Sequence, residues 1–440
     1  LNKITHVVFS DGERYPMLVD ECGMPDFWMT LFVTANLRTV LTASAIENTM
    51  RDILHLRLWE EVEGRDLVAE FTSGKLLTSE DIHSIRDHCL LSARSVKKFM
   101  KNKTAKNVVN MARSYPEAKR MFETVSKPHY FNRLSHITAY LDFIARTVLV
   151  SRADYAEMHS KVDDMHQLLK AQRKKAPKSK GRITAPELKA PPPETFERFM
   201  SVIAEDHCDN PFKNAMNRKR NMLMFQVMYE TGFRAGEVLA LQIGDIDFHA
   251  GTLTVERRHD VPYDPRSRQP VQKTLGRTVA VKTSLIEGLR DYIFNVRAHI
   301  PGANQHPFLF VTHKKGEHQG KPISDSSFRN RILKPATERF PELFGEINRH
   351  GFRHNFNYRL SKRIDAHNAW VRANPELAER ENKKLISEKH EIQIRMHLNG
   401  WSSEGTAQTY NLRHIKETAD KLMREDQEGQ AKWLKKGSVT

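Results

Sequence analysis

Cysteine is scarce in this chain. Cys22, Cys89 and Cys208 are the only three in 440 residues, and no two form a Cys-x-x-Cys pair. An odd, scattered set excludes a disulfide framework and a zinc-cysteine site, and it points to a reducing cytosol. Long apolar runs are missing too. The longest surrounds Phe27 to Val33, far short of the roughly 20 residues a membrane helix needs. No charged-then-apolar signal pattern opens the sequence, because Asp11, Glu13 and Asp20 interrupt it. The expected location is therefore the cytoplasm. Acidic residues are in deficit, with 54 Asp+Glu against 70 Lys+Arg and a formal net charge of +16. A nucleic-acid partner explains such an excess, but so does a merely basic soluble protein, and charge alone leaves both readings open.

What is present fits a soluble globular chain of two or three domains, since 440 residues exceed one ordinary core. The hydrophobic share of 39% argues against disorder. Residues 4–40 alternate apolar and polar in short runs, including Trp28 to Val33, with a turn at Asp11-Gly12, and predict a small strand-containing element over 1–43. Residues 44–172 turn helical. Phe131, Leu134, Ile137, Leu141, Ile144 and Val148 recur at three- and four-residue steps as one apolar face. Arg133, His136 and Arg146 fall on other faces, which suits either solvent or DNA.

Residues 173–193 form the clearest boundary. Arg173, Lys174, Lys175, Lys178, Lys180 and Arg182 crowd a stretch that ends in Ala190-Pro-Pro-Pro193. Proline and glycine forbid a continuous helix there, and like charges extend the segment. A solvated linker is the plain reading; phosphate contacts from these six side chains are the functional one. Beyond it, helices are predicted over 194–205 and 221–241. Strands are predicted at Thr252–Arg257 and Thr278–Lys282 around the loop Asp260–Pro270, with a further short strand at Phe308–Thr312. The expected fold class is mainly α with a small antiparallel β-sheet (α+β). No internal repeat of 20 to 50 residues is present.

Four scattered segments carry chemistry. Thr231-Gly-Phe-Arg234-Ala-Gly-Glu237 places a guanidinium and a carboxylate three apart on a helix, where the acid can hold the base in place. His350-Gly-Phe-Arg353 puts an imidazole and a second guanidinium on one helical face. His350 and His354 also have zinc spacing, but a hydrolytic zinc helix wants Glu where Gly351 stands, so no metal is expected. Gln272-Lys273-Thr-Leu-Gly-Arg277 offers a lysine in the hairpin, and Lys282 at the far end of the same strand competes with it. Trp401 precedes Tyr410 by nine residues, ahead of a predicted helix over 411–425.

In this order, the segments resemble the tyrosine recombinase, or phage integrase, family over about residues 194–425. Arg234 is similar to the first arginine of the family, Lys273 to its hairpin lysine, and His350 and Arg353 to its "HxLRH" box with Phe352 in place of Leu. Trp401 stands where most members carry His and some carry Trp, and Tyr410 is similar to the nucleophile. The stretch from Ser361 to Arg395 is longer and more charged than the usual spacing between the last two boxes. The N-terminal third has no counterpart that aligns.

The resemblance implies a catalytic domain over 194–425, a helical DNA-binding region over 44–172 and a tail over 426–440. It implies site-specific cutting and rejoining of double-stranded DNA through a 3′-phosphotyrosyl intermediate, in the service of a mobile element, without metal or nucleotide cofactor. The implied assembly is a tetramer on paired DNA sites, with accessory proteins or related recombinases as further candidate partners, on the nucleoid of a bacterium. Two alternatives stay open at this point: a type IB topoisomerase that relaxes DNA, and a DNA-binding regulator that keeps the fold without cutting. Ala419, Leu422, Met423 and Trp433-Leu434 suggest an apolar tail helix, docking either on a neighbouring protomer or in cis.

Overall fold

The computed structural model describes residues 3–103, 123–174, 190–270, 272, 274–406 and 415–428. Its elements are mainly helical, with two small antiparallel sheets. Two compact units divide the chain. The first takes in Leu1–Phe9 and Arg14–Lys180, the second Ser10–Glu13 and Gly181–Thr440. No helix among the described residues is long and apolar enough to cross a membrane.

In the first unit, β1 (Lys3–Val8) pairs with β2 (Arg14–Val19), Lys3 opposite Val19 and Val8 opposite Arg14. The segment Trp28 to Val33, expected to be extended, is helical instead. It belongs to α1 (Phe27–Phe32) and the wider helical turn that follows. The reason lies at its start, where the Asp26 carboxylate caps the helix by accepting from the Met29 N–H at 2.8 Å. Among the described residues six helices follow: α2 (Ala43–Glu63), α3 (Leu67–Thr72), α4 (Ser79–His88), α5 (Ala93–Lys103), α6 (Lys127–Leu149) and α7 (Tyr155–Lys174).

Helix α6 buries Leu134, Ile137, Leu141 and Ile144, as its periodicity demands. Phe131, placed by the same pattern on that face, is 40% exposed, and the Arg173 guanidinium lies 4.8 Å from its ring centroid. Arg133, expected on an outer face, is buried and donates to the carbonyls of Cys89 and Leu91 at 2.9 and 2.8 Å. His136 meets Asp52 at 2.8 Å, and Arg146 bridges Asp142 and Asp163 at 3.0 and 2.6 Å. All three basic residues are thus tied to groups of their own unit.

The second unit opens with α8 (Pro193–Ile203), α9 (Ala215–Thr231) and α10 (Ala235–Ala240). The sequence pattern runs unbroken from 221 to 241, but the backbone breaks at Gly232, whose φ of +67° is a left-handed helix cap. A three-stranded antiparallel sheet follows in the order β3 (Ile246–Asp247), β4 (Thr252–Val255), β5 (Arg277–Ala280). Phe308–Thr312 makes isolated bridges to Gln242 and Pro322 rather than a strand.

After α11 (Thr283–Asp291) and a helical run from Asp325 to Glu338, the unit closes with α12 (Gly351–Ala373), α13 (Pro375–Arg380) and α14 (Glu388–Asn399). A last helix, α15, occupies 415–428. The long stretch from Ser361 to Arg395 thus extends α12, turns through α13 and returns along α14. Phe196, Phe199, Phe225, Phe328, Phe344 and Phe352 make an aromatic core under α8, α9 and α12. Phe225 and Phe352 stack with centroids 5.8 Å apart.

Candidate active site

Two helix starts and one helix end create the site. Arg234 occupies the cap position of α10, just after the turn at Gly232. Its N–H donates to Glu237 Oε2 at 3.0 Å and its guanidinium reaches Oε1 at 3.4 Å. The local logic is a carboxylate three residues into a helix satisfying an unpaired N–H at its start. The Arg234 side chain keeps 24% of its surface exposed, so its fork still faces outward.

His350 caps α12 and is exposed, its N–H donating to Asn348 Oδ1 at 3.0 Å. Phe352 then enters the aromatic core, 5.2 Å from the Phe196 ring and 5.8 Å from Phe199. A ring in that slot turns the next residue inward, and Arg353 is fully buried. It donates to the Gly232 carbonyl at 3.1 Å and to the Asn399 carbonyl, and its Nη1 lies 4.0 Å from Glu237 Oε2. Arg234 and Arg353, 119 residues apart in the chain, therefore converge on one carboxylate.

Trp401 sits where α14 ends. Gly400 adopts a left-handed φ of +64° to end the helix, and the buried Trp401 ring lies 5.4 Å from the Arg353 guanidinium. A Cβ at Gly400 would meet the Leu275 carbonyl at 2.7 Å, so only glycine allows the hairpin to come this close. Leu275 N–H in turn donates to the Gly400 carbonyl at 3.0 Å.

Several buried partners escaped the sequence reading. Arg277 donates to Glu237 Oε2 at 2.7 Å, and Thr274 donates to Oε1 at 2.5 Å. Burial alone would push the Glu237 carboxyl up, but the Arg277 and Arg353 charges and the hydrogen bonds from Arg277 and Thr274 hold it below the ordinary carboxylate value. Asn357 and Asn399 exchange amide hydrogen bonds at 3.0 and 2.9 Å, and Arg395 donates to the Asn357 carbonyl at 3.2 Å, locking α14 to α12. One signal was readable for Arg277. Strand alternation puts it on the same face as Val279, and an arginine on a core face needs an anion.

Lys282 is exposed at the cap of α11, at the opposite end of β5 from Thr274. Lys273, Tyr410 and the linker residues Lys175, Lys178, Lys180 and Arg182 lie outside the described residues, as do the side chain of Lys174 and the pair Trp433-Leu434. Leu422 and Met423 are exposed on α15, whose Glu417 accepts from Tyr358 of α12 at 2.7 Å and pairs with Lys362 at 3.2 Å. Among the described residues, the group suited to hold a metal is His207, Cys208 and Asp209, with ligand atoms within 4.8 Å of one another. It includes no residue of the site. His207 Nδ1 already accepts from the Asp209 N–H, and Asp209 pairs with Arg339 at 2.7 Å.

Residues 196–367 match the model of the phage integrase family. That window contains Arg234, Glu237, Lys273, Arg277, His350 and Arg353, and ends before Trp401 and Tyr410. No curated protein matches the chain. Among solved structures, it is similar to XerA recombinase at 13% identity and a TM-score of 0.33, over 89% of this chain and 97% of that one. It is also similar to XerH site-specific recombinase bound to palindromic difH substrate, at 15% identity and a TM-score of 0.39, over 80% of this chain and 92% of that one. A third is the Tn1549 transposon integrase in complex with transposon right end DNA, at 15% identity and a TM-score of 0.33, over 61% and 80%.

Proposed function

We propose that this chain, whose residues 196–367 match the phage integrase family, recombines specific double-stranded DNA sites for a mobile element, with Tyr410 as nucleophile. The enzyme class is that of the family's catalytic domain, the tyrosine recombinases, which cleave and rejoin DNA. One observation carries the assignment of the site: Arg234 and Arg353 are held by the same buried carboxylate, Glu237.

A phosphodiester under attack gathers negative charge on its non-bridging oxygens, and planar guanidiniums are suited to bind two such oxygens each. Because both arginines are held before substrate arrives, little reorganisation opposes the reaction. Losing one such donor costs roughly 3–4 kcal/mol of barrier. In the proposed reaction the Tyr410 oxygen forms a bond to phosphorus as the bond from phosphorus to the 5′ oxygen breaks. The phenol, with a pKa of about 10, gives its proton to His350, and the departing oxygen takes one from Lys273. Trp401 packs against Arg353. The phosphotyrosyl bond conserves the energy of the broken linkage, so a second DNA end can reverse the step.

Residues 194–425 are assigned to this chemistry, 44–172 and the basic stretch 173–193 to holding the duplex, and 426–440 to a tail. A tetramer on two sites is the proposed working assembly. The test is a suicide substrate, nicked so that the cleaved strand diffuses away. Wild-type protein should accumulate a covalent 3′ adduct and Tyr410→Phe should form none. An adduct in both proteins, or in neither, removes Tyr410 from its role. Relaxation of a plasmid lacking any preferred site, without strand exchange, would instead assign a topoisomerase.

A further inference from the structure

Glu237 poses an electrostatic problem. A carboxylate that positions two phosphate-binding arginines also cancels part of their charge, and in a buried site that loss is felt strongly. Arg277 resolves it. Its side chain and that of Glu237 are each only 1% exposed, and they meet at 2.7 Å, closer than Glu237 lies to Arg234 at 3.4 Å or to Arg353 at 4.0 Å. The rest of the Arg277 fork is committed to the protein. Its Nε donates to the Leu398 carbonyl at 2.8 Å and its Nη1 to Thr274 at 3.2 Å, while the guanidinium lies 4.8 Å from the Phe233 ring centroid. Of the three guanidiniums, Arg277 is thus the one that answers Glu237 most directly.

We propose that Arg277 is a positioning residue that neutralises Glu237, so that Glu237 orients Arg234 and Arg353 while their two positive charges stay available to the phosphate. Three guanidiniums around one carboxylate leave a formal excess of two positive charges, which suits the dianionic character of a pentacoordinate phosphorus. The proposal rests on the reading of Arg234 and Arg353 as phosphate ligands.

The experiment compares two suicide substrates, one with an ordinary scissile phosphate and one with a scissile methylphosphonate, in which a methyl group replaces a charged oxygen. Arg277→Gln leaves the Glu237 charge unanswered. Its rate on the phosphate should fall on the order of 100-fold, and its rate on the uncharged methylphosphonate should fall by a much smaller factor. The double variant Glu237→Gln/Arg277→Gln removes both charges and should regain about tenfold of the loss on the phosphate, a coupling that separate contributions cannot produce. Arg277→Lys keeps the charge without the fork and should retain the wild-type preference between the two substrates.

Equal losses on both substrates, or a double variant no faster than the single one, would overturn the proposal and leave Arg277 a purely structural residue. So would an Arg277→Lys variant that loses the preference as fully as Arg277→Gln. Thermal melting of each variant identifies a folding defect, in which case the Lys variant decides. If wild-type protein forms no adduct, the underlying reading fails instead, and the two failures are distinct.

Discussion

Arg353 donates to the carbonyl of Gly232 over 3.1 Å, so the turn that ends one helix grips the arginine at the start of another. That turn needs a left-handed φ of +67°, and a Cβ there would stand 2.5 Å from the Phe356 ring. Gly232→Ala should therefore lose about 2–3 kcal/mol, from the left-handed backbone and the displaced ring together. The urea midpoint reports the stability, and adduct yield reports whether Arg353 moves with it. An alanine variant equal to wild type in both would show that the turn does not set the arginine.

The two hairpin lysines can be separated chemically. A substrate whose departing 5′ oxygen is replaced by sulfur needs no proton, since a thiolate leaves unaided. Lys273→Ala should be slowed on the order of 100-fold on the oxygen substrate and restored on the sulfur one. Lys282→Ala, altering an exposed side chain at the start of α11, should cleave both substrates at wild-type rates. Restoration of the Lys282 variant in place of the Lys273 variant would reverse the assignment.

Basic residues along the linker should be visible in the salt dependence of DNA binding. Replacing Lys175, Lys178, Lys180 and Arg182 by Gln should flatten the slope of log K against log salt by roughly 0.9 for each phosphate no longer neutralised. Affinity should fall for specific and unrelated duplexes alike, as sequence-independent binding requires. An unchanged slope would return the segment to the status of a spacer.

Acid should act on the histidine pair buried in the N-terminal unit. His55 and His88 are buried with ring centroids 4.5 Å apart, and His55 Nε2 lies 3.0 Å from the His88 carbonyl. Burial, with the neighbouring His88 and Arg133 charges, pushes His55 down to about 2. Burial and Arg133 push His88 down to about 4. Both folded values lie below the unfolded one of about 6.5, so the unfolded chain binds protons that the native unit refuses. Stability is then highest above that pH and falls as the solution is acidified from about 6.5 toward 4. Glu237, also lowered, contributes stability above the ordinary carboxylate pKa and loses it only at lower pH. In the second unit, burial and the Arg220 charge push His313 down to about 3, so both units lose stability in this window. Hydrogen exchange followed from pH 7 to 4 should show α2 and α4 losing protection along with the segment around His313. Protection of α2 and α4 unchanged down to pH 4 would mean that the histidine pair is not an acid-sensitive element.

Legibility from sequence followed the range of each interaction. The apolar spacing in α6 is local and can be read from neighbouring residues, whereas the break at Gly232 interrupts a pattern that runs on as helix from 221 to 241. The extended reading of Trp28 to Val33 failed because a single capping acid, Asp26, outweighed an ambiguous apolar run. Arg133 was misplaced because helical spacing says which face a residue lies on, but not that two loop carbonyls wait there to receive it.

Residue identity and chain order alone determined the resemblance carried by residues 196–367, the candidate site residues and the basic character of the chain, because these depend on which groups are present and how they are spaced. Only tertiary structure decided that Arg277 and Arg353 join Arg234 around the single carboxylate of Glu237, and that the end of α14 and the approach to β5 meet at Gly400. Those meetings join positions 40 to 125 residues apart. No local pattern encodes them, since a buried charge selects its partner by where the packed core leaves an opposite charge within reach.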